Sequence, residues 1–221
     1  MNEIVLDTET TGLSVANGHR IVEIGCIELQ NQIPTSNRFH CYLNPQRKVS
    51  EEAQKVHGYT DQFLSDKKIF KDVAEEFLNF IKDKKIIIHN AEFDLSHINN
   101  ELKLIGKKAI SKNNIIDTLD IARDKFPGSQ ISLDALCKRF RIDNSKRKLH
   151  TALIDCELLA KVYVNLIDQK EPKLNFDNMN DANDDINVKV TDYCKKIINP
   201  TEKELENHKN FLNSCLKKNY F

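Results

Sequence analysis

Apolar residues recur along this chain with two periods, and the change from one to the other divides it. In residues 3–44, three apolar runs stand between polar turns: IVLDT, RIVEIGCIEL and RFHCYL. They read as strands. The second carries apolar residues on both faces and is expected to be central and covered on both sides. Short connections predict antiparallel neighbours. From residue 69 the spacing turns helical, with Ile69, Val73, Phe77, Phe80 and Ile81 on one stripe. Residues 85–89 (KIIIH) read as a short buried strand, 91–105 as a helix and 114–119 as a fifth strand. Ser132 is placed to cap a helix running to Phe140, and 151–167 is the clearest helical segment. Strands first, then strand–helix alternation, predicts an α/β sheet with helices on its faces.

The pattern stops at Pro172. Residues 174–187, LNFDNMNDANDDIN, have no period and are dominated by Asn and Asp. Such composition reads as a linker. Further on, Thr201 and Glu204 form a capping box after Pro200. Leu205, Phe211, Leu212, Cys215 and Leu216 then make an amphipathic stripe. The expected organisation is a main domain at 1–171, a flexible linker at 172–187 and a helical tail at 188–221. A tail of about 34 residues is too short to build its own core. It is expected to dock on a partner, the alternative being that it folds back on the main domain.

With 221 residues, 40% hydrophobic and 30% charged, the chain can bury a core. No apolar run approaches the roughly 18 residues of a membrane helix. MNEIVLDTET lacks the basic and apolar regions of a signal peptide, so a soluble cytoplasmic protein is expected, with no membrane contact. The six cysteines (26, 41, 137, 156, 194 and 215) include no CxxC pair, against a zinc ribbon or a disulfide framework. The formal net charge is +0. If such a chain acts on nucleic acid, its own grip is weak; it handles a strand end locally or a partner holds the substrate.

Acids interrupt the apolar pattern in three places. In IVLDTETTG (4–12), strand alternation puts Val5, Asp7 and Glu9 on one face. Two carboxylates this close stay ionised only with a cation between them. The plainer alternative ends the strand at Leu6 and makes the rest a polar turn. Stepping back four residues from Ile98 along its helical stripe gives Asp94, and stepping back from Leu159 gives Asp155. Three elements directing acids inward suggest a shared cation site. Four carboxylates suffice for two divalent ions, a device for displacement at phosphorus, and the oxygen donors favour Mg²⁺ or Mn²⁺ over Zn²⁺.

His150 lies five residues before Asp155, off that helix face, so it is expected in the entering loop beside the metals. There it can take a proton from the attacking water; the alternative is a surface or capping histidine. His89 and Asn90 read as structural, His97 as a helix-surface residue, and His57, in a loop with Gly58, as structural when taken alone. The basic residues of 138–148 either guide a phosphate backbone or form a solvated loop.

The order Asp7-Thr-Glu9, then HNAEFD ending in Asp94, then His150 followed by Asp155, resembles the DEDD exonucleases of the His-containing subtype. LDTETTG, RIVEIGCIEL, VHGYTDQFL, FPGSQISLDALCKRFRIDNSKRKLH and PTEKELENHKNFL narrow the resemblance to the proofreading subunits of bacterial DNA polymerase III. It covers nearly the whole chain, most weakly over 172–198. The resemblance implies an RNase H-like mixed five-stranded sheet and 3′→5′ removal of mispaired nucleotides as nucleoside 5′-monophosphates. It implies that Asp7, Glu9 and Asp155 are metal ligands, that Asp94 completes the acid set and that His150 is the general base. It also implies that Glu52 and His57 contact the terminal nucleotide and that the tail tethers the chain to the polymerase catalytic subunit. One departure stands out: 172–187 lacks the glutamine-led, aromatic-ending peptide that binds the sliding clamp in many relatives, which puts a direct clamp contact in doubt. Two other readings fit parts of the pattern. A free-standing enzyme of the same fold would trim RNA 3′ ends but needs no tail. A structural subunit with vestigial chemistry would show an incomplete acid set, whereas Asp7, Glu9, Asp94, His150 and Asp155 are all present.

Overall fold

The computed structural model describes residues 2–147, 149–167 and 200–215. Five strands, β1 (Asn2–Thr10), β2 (Ile21–Gln30), β3 (Ile33–Tyr42), β4 (Lys85–Ile88) and β5 (Ile115–Asp117), form one sheet of order β3-β2-β1-β4-β5. β1–β2 and β2–β3 are antiparallel, while β1–β4 and β4–β5 are parallel. The sheet is therefore mixed, as expected. The β2–β3 connection is the pair Asn31-Gln32, both at positive φ (50° and 67°). That is the twist a two-residue hairpin needs. The parallel pairs require crossovers, which α3 (Phe70–Ile81) and α4 (Ala91–Leu104) supply.

β1, rather than β2, is the central strand. β2 is interior and buried on both faces, which is why its apolar pattern resembles that of a centre strand. β3 starts earlier than its apolar run, at Ile33, because pairing with β2 continues into exposed polar positions. β5 is shorter than expected. Its last residue, Asp117, accepts from Leu119 N–H (2.9 Å) and caps a helix, α5 (Thr118–Lys125). The stretch around His57, expected as loop, is α1 (Glu51–His57), capped by Ser50 and ended by Gly58 at φ 81°. A short α2 (Asp61–Leu64) follows. α6 (Leu133–Phe140) is capped by Ser132, and α7 is Ala152–Leu166.

Strand alternation sends the core to both faces of the sheet. Ile4, Leu6, Ile24 and Cys26 pack with Val73 and Phe77 of α3 and Ile98 and Leu102 of α4. Val5, Ile27, Leu29 and Ile87 pack with Leu136 of α6 and Leu159 and Val162 of α7. Each such fully buried side chain contributes about 1.5–3 kcal/mol, so β1 is clamped from both sides. α7 approaches the sheet unusually closely because Gly25 lies beneath it. A Cβ at Gly25 would stand 2.6 Å from the Ala152 carbonyl carbon. Cys26, Cys41, Cys137 and Cys156 are free thiols.

The chain divides into two compact units, residues 1–173 and 174–221. In the second, α8 (Glu202–Cys215) carries the expected capping box. Thr201 N–H donates to Glu204 Oε2 (2.7 Å), and Glu204 N–H donates to Thr201 Oγ1 (3.4 Å). The linker expected at 172–187 and the tail residues 188–199 and 216–221 lie outside the described residues. Among the described residues no helix is long and apolar enough to cross a membrane.

Candidate active site

The C-terminal half of β1, the first turn of α4, the first turn of α7 and the loop before α7 surround one cavity of about 460 Å³. Asp7, Glu9, Asp94, Arg147, His150 and Asp155 line it. Asp7 and Glu9 point to the α7 side of β1, as alternation requires. Asp94, from the opposite layer, is drawn to the strand by Thr8. The Thr8 N–H (3.0 Å) and Oγ1 (2.7 Å) both donate to Asp94 Oδ1. Asp155 is buried on α7, whose docking over Gly25 brings it to the same place.

Burial and neighbouring acids raise the pKa of Asp7 and Glu9, and burial raises that of Asp94. Burial, then the charges of Asp94, Glu9 and Asp155, hold Asp7 well above the usual carboxylate range. Burial, then Asp155 and Glu23, push Glu9 up to about 8. Burial lifts Asp94 to about 7, outweighing the two Thr8 hydrogen bonds that favour its charged form. Asp7, Glu9, Asp94 and Asp155 face this cavity against one guanidinium, that of Arg147, so the cluster is short of positive charge. The donor atoms of Glu9, His150 and Asp155 lie within 4.8 Å of one another, a set able to hold a metal ion. The residues therefore fit a hard divalent cation in both chemistry and spacing. Asp7 lies in the same cavity, but His150, not Asp7, completes the close triplet with Glu9 and Asp155.

His150 is in the loop entering α7, as expected, just before the N-cap Thr151. Its N–H donates to Val56 O (3.1 Å), and its side chain is 44% exposed. Burial, then the Arg147 charge, lower its pKa from the ordinary value.

A second cavity, about 580 Å³, adjoins the first and shares Glu9, Leu13 and Phe93 with it. Glu52 and His57 line this second cavity. Both ring nitrogens of His57 are used within the protein. Nδ1 accepts from Tyr59 N–H (3.0 Å), and Nε2 lies 3.3 Å from Thr10 O. What His57 offers the cavity is its ring.

His89 and Asn90 close the β4–α4 turn. His89 Nδ1 meets Thr118 Oγ1 (2.9 Å), and Asn90 N–H donates to Asp117 (3.0 Å). His97, expected on the helix surface, is instead buried against Phe93. Two polar residues escaped the sequence reading. Glu23 of β2 is fully buried and accepts from Tyr59 OH (2.8 Å) and Ala152 N–H (2.9 Å), tying the start of α7 to the sheet. The signal was present: an acid inside an apolar strand, as with Asp94 and Asp155 in their helices. Arg147 belongs to the basic run, but its side chain is 7% exposed and turns inward onto Asp155. Lys138 and Arg139 of the same run are exposed.

This sheet order, with acids converging from β1, α4 and α7 beside a histidine, defines a class of protein, the exonucleases. The family model described as Exonuclease matches residues 4–163. The solved structure of Exonuclease X in complex with 5′ overhanging duplex DNA superposes with a TM-score of 0.60 at 25% identity, covering 76% of this chain and 92% of that one. The DNA polymerase III subunit epsilon of Rickettsia felis is 48% identical over 225 residues, covering 98% of both chains. Its counterpart in Salmonella typhimurium is 49% identical over 170 residues, covering 73% of this chain and 70% of that one. The chain belongs to the exonuclease family and, within it, to the DNA polymerase III epsilon subunits.

Proposed function

We propose that this chain is a metal-dependent 3′→5′ exonuclease that removes mispaired nucleotides from DNA 3′ ends as the proofreading subunit of DNA polymerase III. The observation that carries the reading is the convergence of Asp7, Glu9, Asp94, His150 and Asp155 on one cavity. Glu9, Asp155 and Asp7 would hold two Mg²⁺ or Mn²⁺ ions, with Asp94 completing the acid set. When bound, the ions would activate water and stabilise the charge on the leaving oxygen.

The chain's own residues do the rest. Acids with raised pKa values hold their protons into the neutral range, and a cation must displace those protons, so metal affinity rises with pH. Thr8 fixes Asp94 against β1. His150, neutral near pH 7 by its lowered pKa, takes a proton from the attacking water. The second cavity receives the terminal nucleotide. Leu13, Phe93 and the His57 ring give the base an apolar surface, and Glu52 stands on its wall. A mismatched end frays at lower cost than a paired one, which gives selectivity without base readout. The apolar stripe within 188–221 docks on the polymerase catalytic subunit, which supplies the grip on DNA that a neutral chain lacks.

The test is timed digestion of a labelled 3′-mismatched primer–template with Mg²⁺, beside a matched primer and a single-stranded RNA, each with and without EDTA. Metal-dependent loss of the mismatched end ahead of the matched end is expected. Degradation of RNA with DNA spared would replace this reading with an RNA 3′-end trimming enzyme.

A further inference from the structure

The Arg147 guanidinium makes four short contacts, three of them to residues of the candidate metal site. Nε is 2.6 Å from Asp155 Oδ1 and Nη2 is 2.7 Å from Asp155 Oδ2, a bidentate grip on both oxygens. Nη2 also lies 2.9 Å from His150 Nδ1. Nη1 is 2.6 Å from Asp134 Oδ2. The loop is shaped to deliver it: Arg147 N–H donates to Asn144 O (2.9 Å), and Asn144 Nδ2 donates to Asp134 Oδ1 (2.9 Å).

The chemistry of these contacts is one-sided. A guanidinium only donates and stays charged. His150 Nδ1 is therefore the acceptor, and the ring proton of the neutral imidazole sits on Nε2. In this arrangement His150 has no lone pair left to take a proton. Asp155, one of the Glu9–His150–Asp155 triplet, has a full positive charge across both oxygens. A divalent ion entering there would meet that charge at a few ångströms.

We propose that Arg147 is a positioning residue that fills the cation site of the metal-free protein, holding Asp155 and the basic nitrogen of His150 until a divalent ion displaces it. Loading of the ion and release of His150 for proton transfer are then one event. Metal-free protein is held inert, and the same withdrawal that admits the ion frees the base. The proposal rests on the metal-dependent reading above.

The test is direct Mn²⁺ binding without nucleic acid, with free Mn²⁺ counted by electron paramagnetic resonance. Full-length wild type is compared with Arg147→Gln, Arg147→Lys and, as a surface control, Lys138→Gln. Removing a like charge so close should tighten binding roughly tenfold in Arg147→Gln. Arg147→Lys, which keeps charge but loses the fork, should tighten it several-fold, and Lys138→Gln should match wild type. Melting in EDTA should be lower for Arg147→Gln, with a larger rise on adding Mn²⁺. Unchanged or weaker affinity in Arg147→Gln overturns the proposal and leaves the metal-dependent reading standing. Should that variant fail to fold, wild-type affinity in Arg147→Lys overturns it equally. If wild type and variants alike bind no Mn²⁺, the metal-dependent reading falls, and this proposal with it.

Discussion

Thr8 holds Asp94 by two hydrogen bonds to a single carboxylate oxygen, one from its backbone and one from its hydroxyl. The pair joins the central strand to the helix that crosses behind it, so the position of one acid is set by the side chain between two others. Thr8→Val keeps the shape and removes the hydroxyl. It should cost about 1–2 kcal/mol of stability and, by loosening Asp94, roughly ten- to hundredfold in turnover. Thermal melting and single-turnover digestion of a mismatched primer check the two figures. Near-normal turnover would mean that the backbone bond alone positions Asp94.

Asp7→Ala should separate function from stability. Asp7 is crowded by Asp94, Glu9 and Asp155, so its removal relieves repulsion. Hydrolysis should fall by roughly 10³-fold or more, in the range for loss of charge stabilisation at a reacting centre. Melting in EDTA should stay level or rise. Retained activity would remove Asp7 from the proposed ligand set.

The raised pKa of Glu9 makes a prediction about pH. Folded, it ionises near 8, against an ordinary 4.5. Between those values the unfolded chain gives up the proton and the native chain keeps it, so stability of the metal-free protein falls as pH rises. The lowered pKa of His150 gives the opposite slope, confined below its ordinary 6.5. The window from 6.5 to 8 therefore reports the acids. Melting temperature in EDTA should decline across it, and Glu9→Gln or added Mg²⁺ should flatten the decline. A flat wild-type profile would mean that the acids are already neutralised within the protein.

Gly25→Ala tests the seating of α7. The added methyl would meet the Ala152 backbone at 2.6 Å, and backbone cannot rotate away. Overpacking of this kind costs about 1–3 kcal/mol. Because Asp155 and His150 move with the helix start, activity should fall further than stability. Equal losses would point to a merely structural contact.

Much of this was legible in the residues, for identifiable reasons. Asp7, Glu9, Asp94 and Asp155 stood out because each breaks an apolar period, and period is the strongest signal a single sequence carries. α1 was missed because EEAQKVH is short and mostly exposed, so it has no apolar stripe; its cap and its terminal glycine form it instead. The end of β5 was overrun because Asp117 looks like a strand residue in NIIDTL, while its side chain caps the next helix. The inward turn of Arg147 could not be read at all. An arginine in a basic run has no period, and only the fold shows that Asp155 lies within its reach.

Deleting 188–221 should leave digestion of single-stranded DNA within about twofold of wild type, as expected of a segment whose loss removes a partner rather than a core. Co-purification with the polymerase catalytic subunit should be lost. Retained co-purification would move the docking surface into the larger unit.

The site has a consequence for synthesis of the chain. Asp94 bonds Thr8 across 86 positions, Ala152 bonds Glu23 across 129, and Cys156 reaches the carbonyl of Val5 across 151. A ribosome that has released only the first 140 residues has delivered Asp7, Glu9 and Asp94 but neither His150 nor Asp155. Contacts this distant form late. With the ligand and base roles proposed for His150 and Asp155, the nascent chain is chemically silent until α7 seats on Gly25, and a product truncated before α7 should cut no DNA.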